Sequence, residues 1–217
     1  MTSHRASRNR FFSQLNGLYL ILDDRWASHC SLPNVMREAG EAGVKLVQYR
    51  NKTGSMNQVF DVASALRQIA NEWAIVFVVN DRCDLAMAVG ADGVHLGQTD
   101  LSLTLARKLV GKEMLIGVST HNAGQVQQAT KDGADYLGFG PIFPTSTKSN
   151  HDPVVGIQGM KLIRNLTSLP VFAIGGIGPE SVSELCQAGA NGVAVASGIL
   201  DAADRQRAFT QYLTRFH

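Results

Sequence analysis

The sequence has little cysteine, and the few cysteines are scattered. Cys30, Cys83 and Cys186 are the only three in 217 residues, and no two of them have the short spacing of a zinc-binding pair. An odd number of cysteines so far apart also argues against a disulfide framework. We therefore expect free thiols, a reducing compartment and a cytoplasmic location.

Long apolar runs and a surplus of charge are also missing. No stretch approaches the ~20 apolar residues of a membrane span, and residues 1–16 lack the apolar segment of a secretory signal. The sequence has 20 basic and 18 acidic residues, which gives a net charge of +2, and it contains no run of lysine and arginine. Electrostatics thus gives no reason to expect nucleic acid or an anionic membrane as a partner. Any anion must be bound by local groups.

Residues 1–16 form a basic tail without acidic residues. A transit peptide has a similar composition, but this stretch is short. Its Phe11, Phe12 and Leu15 suit either a disordered tail or a segment that docks on the rest of the protein.

One sequence pattern recurs along the chain and predicts the end of a helix, a glycine and a buried strand. Its four copies are EAGVKLVQYR from Glu41, AVGADGVHLG from Ala88, KDGADYLGFG from Lys131 and QAGANGVAVA from Gln187. Apolar runs at residues 18–22, 74–79, 115–119 and 171–174 predict four further strands. Helical patterns separate the strands, and no Gly-x-Gly-x-x-Gly turn follows the first strand. We predict a single parallel (β/α)8 TIM barrel over residues 17–217.

Polar residues collect where each strand gives way to its loop, and in such barrels these loops build the active site. Gln48, Arg50 and Lys52 alternate at the end of the second strand, so they point the same way and could grip one anion. The alternative is a solvated strand end whose basic groups pair with neighbouring acids. Asn80 and Ser119 end the third and fifth strands.

Asp81 and Asp100 follow adjacent strands beside that basic cluster. Mg²⁺ takes hard oxygen ligands, often one or two carboxylates together with substrate phosphates. The pair therefore predicts a metal-bound diphosphate, although either aspartate alone could instead cap a helix.

Small residues follow the last two strands, at Gly175 and Gly176 and at residues 196–198. Loops in these positions commonly bind phosphate through backbone N–H groups. Tight turns are the alternative explanation for the glycines.

The long connection at residues 143–156 has the features of a lid, with hydroxyl groups and a lysine that could close over a phosphorylated ligand. It could also be an ordinary surface loop. Its polar residues include Thr145, Ser146, Thr147, Lys148 and His151.

Two histidines lie near this face. His95 falls inside the fourth strand and is interpreted as a core residue. His121 shares a face with Ser119, so it could act as an acid, a base or an orienting group, or have a structural role beside the next helix.

Together these motifs resemble the thiamine phosphate synthase family over residues 17–199. The most specific segments, in this order, are NDR from Asn80, HLGQTD from His95 and GPIFPTSTK from Gly140; QYRNK from Gln48 and AIGGI from Ala173 agree. The resemblance implies condensation of hydroxymethylpyrimidine diphosphate with a thiazole phosphate, which gives thiamine phosphate and pyrophosphate. It also implies a dissociative mechanism assisted by Mg²⁺.

The resemblance assigns roles by position. For the pyrimidine diphosphate it implies Gln48, Tyr49, Arg50, Asn51, Lys52, Asn80, Ser119 and Lys148, of which Arg50, Lys52, Ser119 and Lys148 would be catalytic. For the thiazole phosphate it implies Thr145, Ser146, Thr147, Gly176, Ala196 and Ser197. Asp81 and Asp100 would hold Mg²⁺.

One departure lies in the last phosphate turn, which reads Ala-Ser-Gly at residues 196–198, where the family more often has Val or Ile and then Ala. The alternatives are a thiazole tautomerase-like barrel and a non-catalytic thiamine-precursor binding protein. A homo-oligomer is compatible with the sequence.

Overall fold

The computed structural model describes residues 11–145 and 153–216. Eight parallel strands close into a barrel in which each strand pairs with the next and β8 pairs with β1. The predicted (β/α)8 TIM barrel is therefore confirmed. The strands are β1 Gly17–Asp23, β2 Leu46–Arg50, β3 Val76–Asn80, β4 Gly93–Leu96, β5 Leu115–Thr120, β6 Tyr136–Phe139, β7 Val171–Ile174 and β8 Gly192–Val195.

Helices cover the outside of the barrel. In the described residues they are α1 Leu32–Ala42, α2 Met56–Glu72, α3 Cys83–Ala88, α4 Leu103–Val110, α5 Ala123–Asp132, α6 Gly156–Arg164, α7 Val182–Gln187, α8 Ser197–Leu200 and α9 Arg205–Leu213. The longest, α2, begins with a capping box in which the Ser55 hydroxyl and the Gln58 side chain satisfy the first backbone amides.

The recurring glycines end helices as predicted. Gly43, Gly90, Gly133 and Gly189 have φ values of 91°, 63°, 88° and 99°, a region that glycine enters without steric cost. Gly43 and Gly133 are the left-handed caps of α1 and α5. This local chemistry turns the chain from each helix into the following strand.

Large rings and glycines alternate inside the barrel. A Cβ atom at Gly117 would lie 2.1 Å from the ring of Tyr136, and one at Gly192 would lie 2.7 Å from the ring of Phe172. These glycines leave room for the aromatic rings that fill the interior.

Phe11 and Leu15, just before β1, are buried in the same interior cluster as Tyr19 and Phe172. Part of the segment before residue 17 thus packs against the barrel, and the division of the chain at that residue stays a prediction. None of the helices in the described ranges is long and apolar enough to cross a membrane. Cys30, Cys83 and Cys186 are free thiols, as expected.

Candidate active site

A cavity of about 750 Å³ opens at the carboxyl ends of the strands. Its wall receives side chains and backbone from all parts of the barrel, because parallel strands end at the same edge. Many residues predicted for the site line it: Gln48, Arg50, Asn80, Ser119, Thr145, Gly176, Ala196 and Ser197.

Arg50, at the end of β2, is held by an acid from the neighbouring strand. Its guanidinium forms an ion pair with Asp23, which lies opposite Arg50 in the register of β1 and β2. Asp23 is 1% exposed and also accepts from the Arg25 Nε and backbone N–H groups, each at 3.1 Å. The cation is therefore preorganised at the cavity wall, so both expectations for this strand end, anion grip and acid pairing, agree with its geometry.

Lys52 lies beyond the end of β2 and pairs with Asp81. Burial and a hydrogen bond with Asp100 raise the pKa of Asp81 to about 6, although Lys52 opposes the shift. Burial also acts to raise the pKa of Asp100, but it is outweighed by hydrogen bonds from Asp81 and from the Gly97 N–H, 2.7 Å from Oδ2, so this pKa is lowered. The two carboxylates are thus close enough to share a proton.

Neither aspartate caps a helix. The N-cap of α3 is Arg82 and that of α4 is Ser102, which corrects the helix-cap alternative for both acids. Asp81 instead has a φ of 62°, and its N–H donates to the His95 carbonyl at 2.8 Å. In the described part of the chain no group of three His, Cys, Asp or Glu residues could hold a metal, so an ion here would need further ligands from water or substrate.

The turn after β7 lies tightly against the start of the 143–156 connection. A Cβ atom at Gly175 would lie 2.6 Å from the Pro141 side chain, and one at Gly176 would lie 2.4 Å from the Pro144 carbonyl oxygen. The Ile142 N–H also donates to the Ile174 carbonyl at 2.8 Å. Glycine is therefore required here by contact with the loop as well as by φ values of 99° and 63°.

The turn after β8 begins helix α8 at Ser197. The first amides of a helix have no intrahelical acceptor, and Ala196, Ser197 and Gly198 all line the cavity. This arrangement presents backbone donors rather than side-chain charges to a ligand.

Some predicted residues lie elsewhere. Tyr49 is 1% exposed and packs in the core on the opposite face of β2 from Gln48 and Arg50. The side-chain Oδ1 of Asn51 accepts from the backbone N–H groups of Thr53 and Gly54 at 3.0 and 2.8 Å, so this side chain organises its own loop. The substrate roles of both stay predictions. Ser146, Thr147, Lys148 and His151 lie outside the described residues.

The sequence reasoning missed an aromatic part of the cavity floor. Tyr19 lines the cavity, and His95, predicted as a core residue, is both buried and cavity-lining. Each side chain reaches the interior because alternate residues of a strand point inward. The same alternation, used above for Gln48 and Arg50 on β2, could have been applied to β1 and β4. His121 also lines the cavity, and its Nδ1 donates to the Gly140 carbonyl at 2.6 Å, so its role stays open between the predicted alternatives.

A closed β/α barrel with small residues in the turns after its last two strands and a preorganised arginine, Arg50, across the same cavity belongs to the class of enzymes that act on phosphorylated small molecules. The family model described as thiamine monophosphate synthase matches residues 18–199. The chain belongs to this family.

Individual relatives agree. The chain is 40% identical over 188 residues to "Thiamine-phosphate synthase" of Clostridium botulinum strain Loch Maree / Type A3, covering 87% of this chain and 92% of the relative. It is 43% identical over 187 residues to the protein of that name from Chloroflexus aurantiacus, covering 86% of each. The solved thiamine phosphate pyrophosphorylase from Pyrococcus furiosus has a TM-score of 0.84 and 34% identity over 93% of this chain and 96% of that one.

Proposed function

We propose that the chain condenses hydroxymethylpyrimidine diphosphate with a thiazole phosphate to give thiamine phosphate and pyrophosphate. The observation that carries this is one cavity with two different walls, the preorganised Arg50 cation on one and glycine turns on the other. Its volume of about 750 Å³ lies within the usual range for small-molecule sites, roughly 300–1,000 Å³. The names of the relatives above support the same reaction.

The pyrimidine diphosphate belongs with the cations. Arg50 and Lys52 supply positive charge, while Gln48, Asn80 and Ser119 supply hydrogen-bonding groups around it. The thiazole phosphate belongs with Thr145 and the backbone amides around residues 176 and 196–198. This division places each phosphate where the chemistry of the wall suits it.

The Asp81 and Asp100 carboxylates fit a magnesium ion. Burial and the hydrogen bond with Asp100, which raise the pKa of Asp81, bring two hard oxygen donors together in an environment where a divalent cation is favourable. When bound, Mg²⁺ would neutralise charge on the diphosphate. The absence of a third protein carboxylate in the described ranges agrees with a site completed by substrate oxygens and water.

The residues support a dissociative reaction. The carbon–oxygen bond to the diphosphate breaks first, and its electron pair leaves with pyrophosphate. The lone pair of the thiazole nitrogen then forms the new carbon–nitrogen bond. The task of Arg50, Lys52 and Ser119 is to stabilise charge on the leaving group, and preorganised donors of this kind contribute about 3 to 4 kcal/mol each.

A fluorinated substrate tests the order of these bonds. Fluorine on the pyrimidine methyl group withdraws electrons from the developing cation, so it should slow the reaction if ionisation precedes attack. The rate is measured in single turnover, where chemistry is separated from product release. A normal rate with chemistry shown to be limiting would contradict the dissociative order.

The reaction itself is tested with purified protein, both substrates and Mg²⁺. We expect thiamine phosphate and an equal amount of pyrophosphate, and neither compound when one substrate is omitted. A thiazole tautomerase would isomerise its substrate without releasing pyrophosphate, and a binding protein would retain both substrates unchanged. Either result would reject the proposal.

We also propose a cytoplasmic location and no nucleic-acid partner. The free thiols and the nearly balanced charge support these points. A homo-oligomer remains compatible with them.

A further inference from the structure

Five polar side chains form a hydrogen-bonded chain across the barrel interior. Gln48 Nε2 donates to the Tyr19 hydroxyl at 2.6 Å, and the Tyr19 and Tyr136 hydroxyl oxygens are 2.8 Å apart. His95 continues the chain, with Nδ1 3.2 Å from the Tyr136 hydroxyl and Nε2 3.0 Å from the Ser119 hydroxyl. All five residues are at most 8% exposed. The chain therefore links Gln48 and Ser119, which both line the cavity.

With Gln48 Nε2 facing the Tyr19 hydroxyl, as the structure has it, the hydrogen bonds in this chain satisfy every donor in one direction. Burial raises the pKa of Tyr19 and of Tyr136, so each phenol keeps its hydrogen. Tyr19 already accepts from Gln48. If Tyr136 also donated to Tyr19, the buried Tyr19 hydrogen would lose its acceptor, which costs about 1 to 3 kcal/mol. Tyr19 therefore donates to Tyr136, and Tyr136 donates to Nδ1 of His95.

This direction determines what Ser119 presents to the cavity. With Nδ1 as an acceptor, His95 carries its hydrogen on Nε2 and donates it to the Ser119 oxygen. The Ser119 hydroxyl then has its own hydrogen to donate to a ligand. In the opposite direction Ser119 would spend that hydrogen on His95 and present only lone pairs, which repel an anion.

We propose that Tyr136 is a positioning residue that, through His95, holds the Ser119 hydroxyl as a hydrogen-bond donor to the diphosphate. The proposal rests on the proposed function, because the diphosphate is the acceptor it assigns. Tyr136 suits this role because its position is fixed by packing: it is fully buried, and its ring fills the space left by Gly117. A donor held before the reaction starts needs no reorganisation as charge develops.

Tyr136→Phe removes one hydroxyl and keeps the ring. We expect kcat to fall about tenfold, less than the 100-fold or more for deleting a preorganised donor, because Ser119 would remain but lose its fixed direction. The KM for the thiazole phosphate should stay within twofold. In a Ser119→Ala background the same change should lower kcat by less than twofold, because the hydroxyl it acts on is gone.

Thr120→Val is the matched control. Thr120 lies next to Ser119 on β5 and is fully buried, but its hydroxyl donates to the Gly138 carbonyl at 2.9 Å rather than to the chain. It should keep kcat within twofold. A loss equal to that of Tyr136→Phe, or effects of Tyr136→Phe and Ser119→Ala that multiply, would overturn the proposal.

The tautomer of His95 gives a readout that does not depend on activity. We expect nitrogen NMR of the free protein with ¹⁵N-labelled histidine, assigned by the signals lost in His95→Gln, to show hydrogen on Nε2. Tyr136→Phe should produce a mixture of tautomers. Hydrogen on Nδ1 in the wild type would overturn the positioning role even in an active enzyme. If no thiamine phosphate forms, the proposed function fails, and the spectrum still decides the direction of the chain.

Discussion

The cavity has two halves that offer positive potential to an anion in different ways. In the charged half, at the ends of β2 to β4, Arg50 at the cavity wall is paired with Asp23, and Lys52, beyond the end of β2, is paired with Asp81. In the glycine half, after β7 and β8, donors come from the backbone around Gly176 and from the start of α8. The diphosphate bound in the charged half gains negative charge as its bond breaks, whereas the thiazole phosphate bound in the glycine half keeps the same charge throughout. The charged half should therefore control rate and the glycine half should control affinity.

The largest effect is expected in the charged half, from Asp81→Asn. Asparagine tolerates the φ of 62° at this position, so the change removes charge without backbone strain. We expect kcat to fall by roughly two to four powers of ten, about 3 to 5 kcal/mol in transition-state stabilisation, and chelation to abolish the wild-type rate. Asp84→Asn, an exposed acid paired with Arg82, should remain active. Full wild-type activity in excess chelator would refute the metal assignment.

Lys148→Ala tests whether the lysine predicted for the lid at residues 143–156 acts on rate. Arg50 and Lys52 already share the ground-state grip, so the lysine should matter most as charge accumulates on the departing pyrophosphate. We expect kcat to fall about 100-fold, with less than a threefold change in Kd for the pyrimidine diphosphate. Lys161→Ala, an exposed lysine on α6, is the control. A change confined to Kd would assign Lys148 to binding alone.

Gly176→Ala tests the glycine half. The added Cβ atom would lie 2.4 Å from the Pro144 carbonyl oxygen, so the turn must shift. We expect the KM for the thiazole phosphate to rise about tenfold and that for the pyrimidine diphosphate to change little. Gly90→Ala has the same φ of 63° with open space around its Cβ position. It should cost about 1 kcal/mol of stability and leave both KM values unaltered. If Gly176→Ala changed the KM values for both substrates equally, the thiazole phosphate could not be assigned to the glycine half.

The smallest effect is expected on the free energy of unfolding of the metal-free protein, through the Asp81 carboxyl in the charged half. The pKa of Asp81 in the folded protein, about 6, lies above the usual value of 3.8 for an aspartate, so the folded protein binds an extra proton between these pH values. Protonation of Asp81 therefore stabilises the folded protein fully below pH 3.8, and this stabilisation is lost as pH rises through about 6. We expect Asp81→Asn to unfold in urea at higher free energy than wild type above pH 6, by about 1 kcal/mol after allowance for solvent screening. The difference should vanish near pH 4, and a constant difference would contradict this origin.

The barrel fold was easier to predict from the sequence than the charged half of the cavity. Helix-ending glycines and buried strands are local signals, and they determined the order of all eight strands. The partner of Arg50 depends on the register of β1 and β2, and the chain through His95 depends on closure of the barrel, since Tyr19 and Tyr136 are 117 positions apart. Alternation along β2 predicts that Tyr49 points away from Gln48 and Arg50. The positive φ of Asp81 had no local signal, because its neighbours resemble an ordinary helix start.

The most direct test of the two halves is calorimetric titration of the wild-type protein with each anion alone, with Mg²⁺ and with excess chelator. Inorganic pyrophosphate probes the charged half without reaction, and the thiazole phosphate probes the glycine half. We expect chelation to weaken pyrophosphate binding at least tenfold and to leave the affinity for the thiazole phosphate within twofold. An equal loss for both ligands would contradict the division of the cavity.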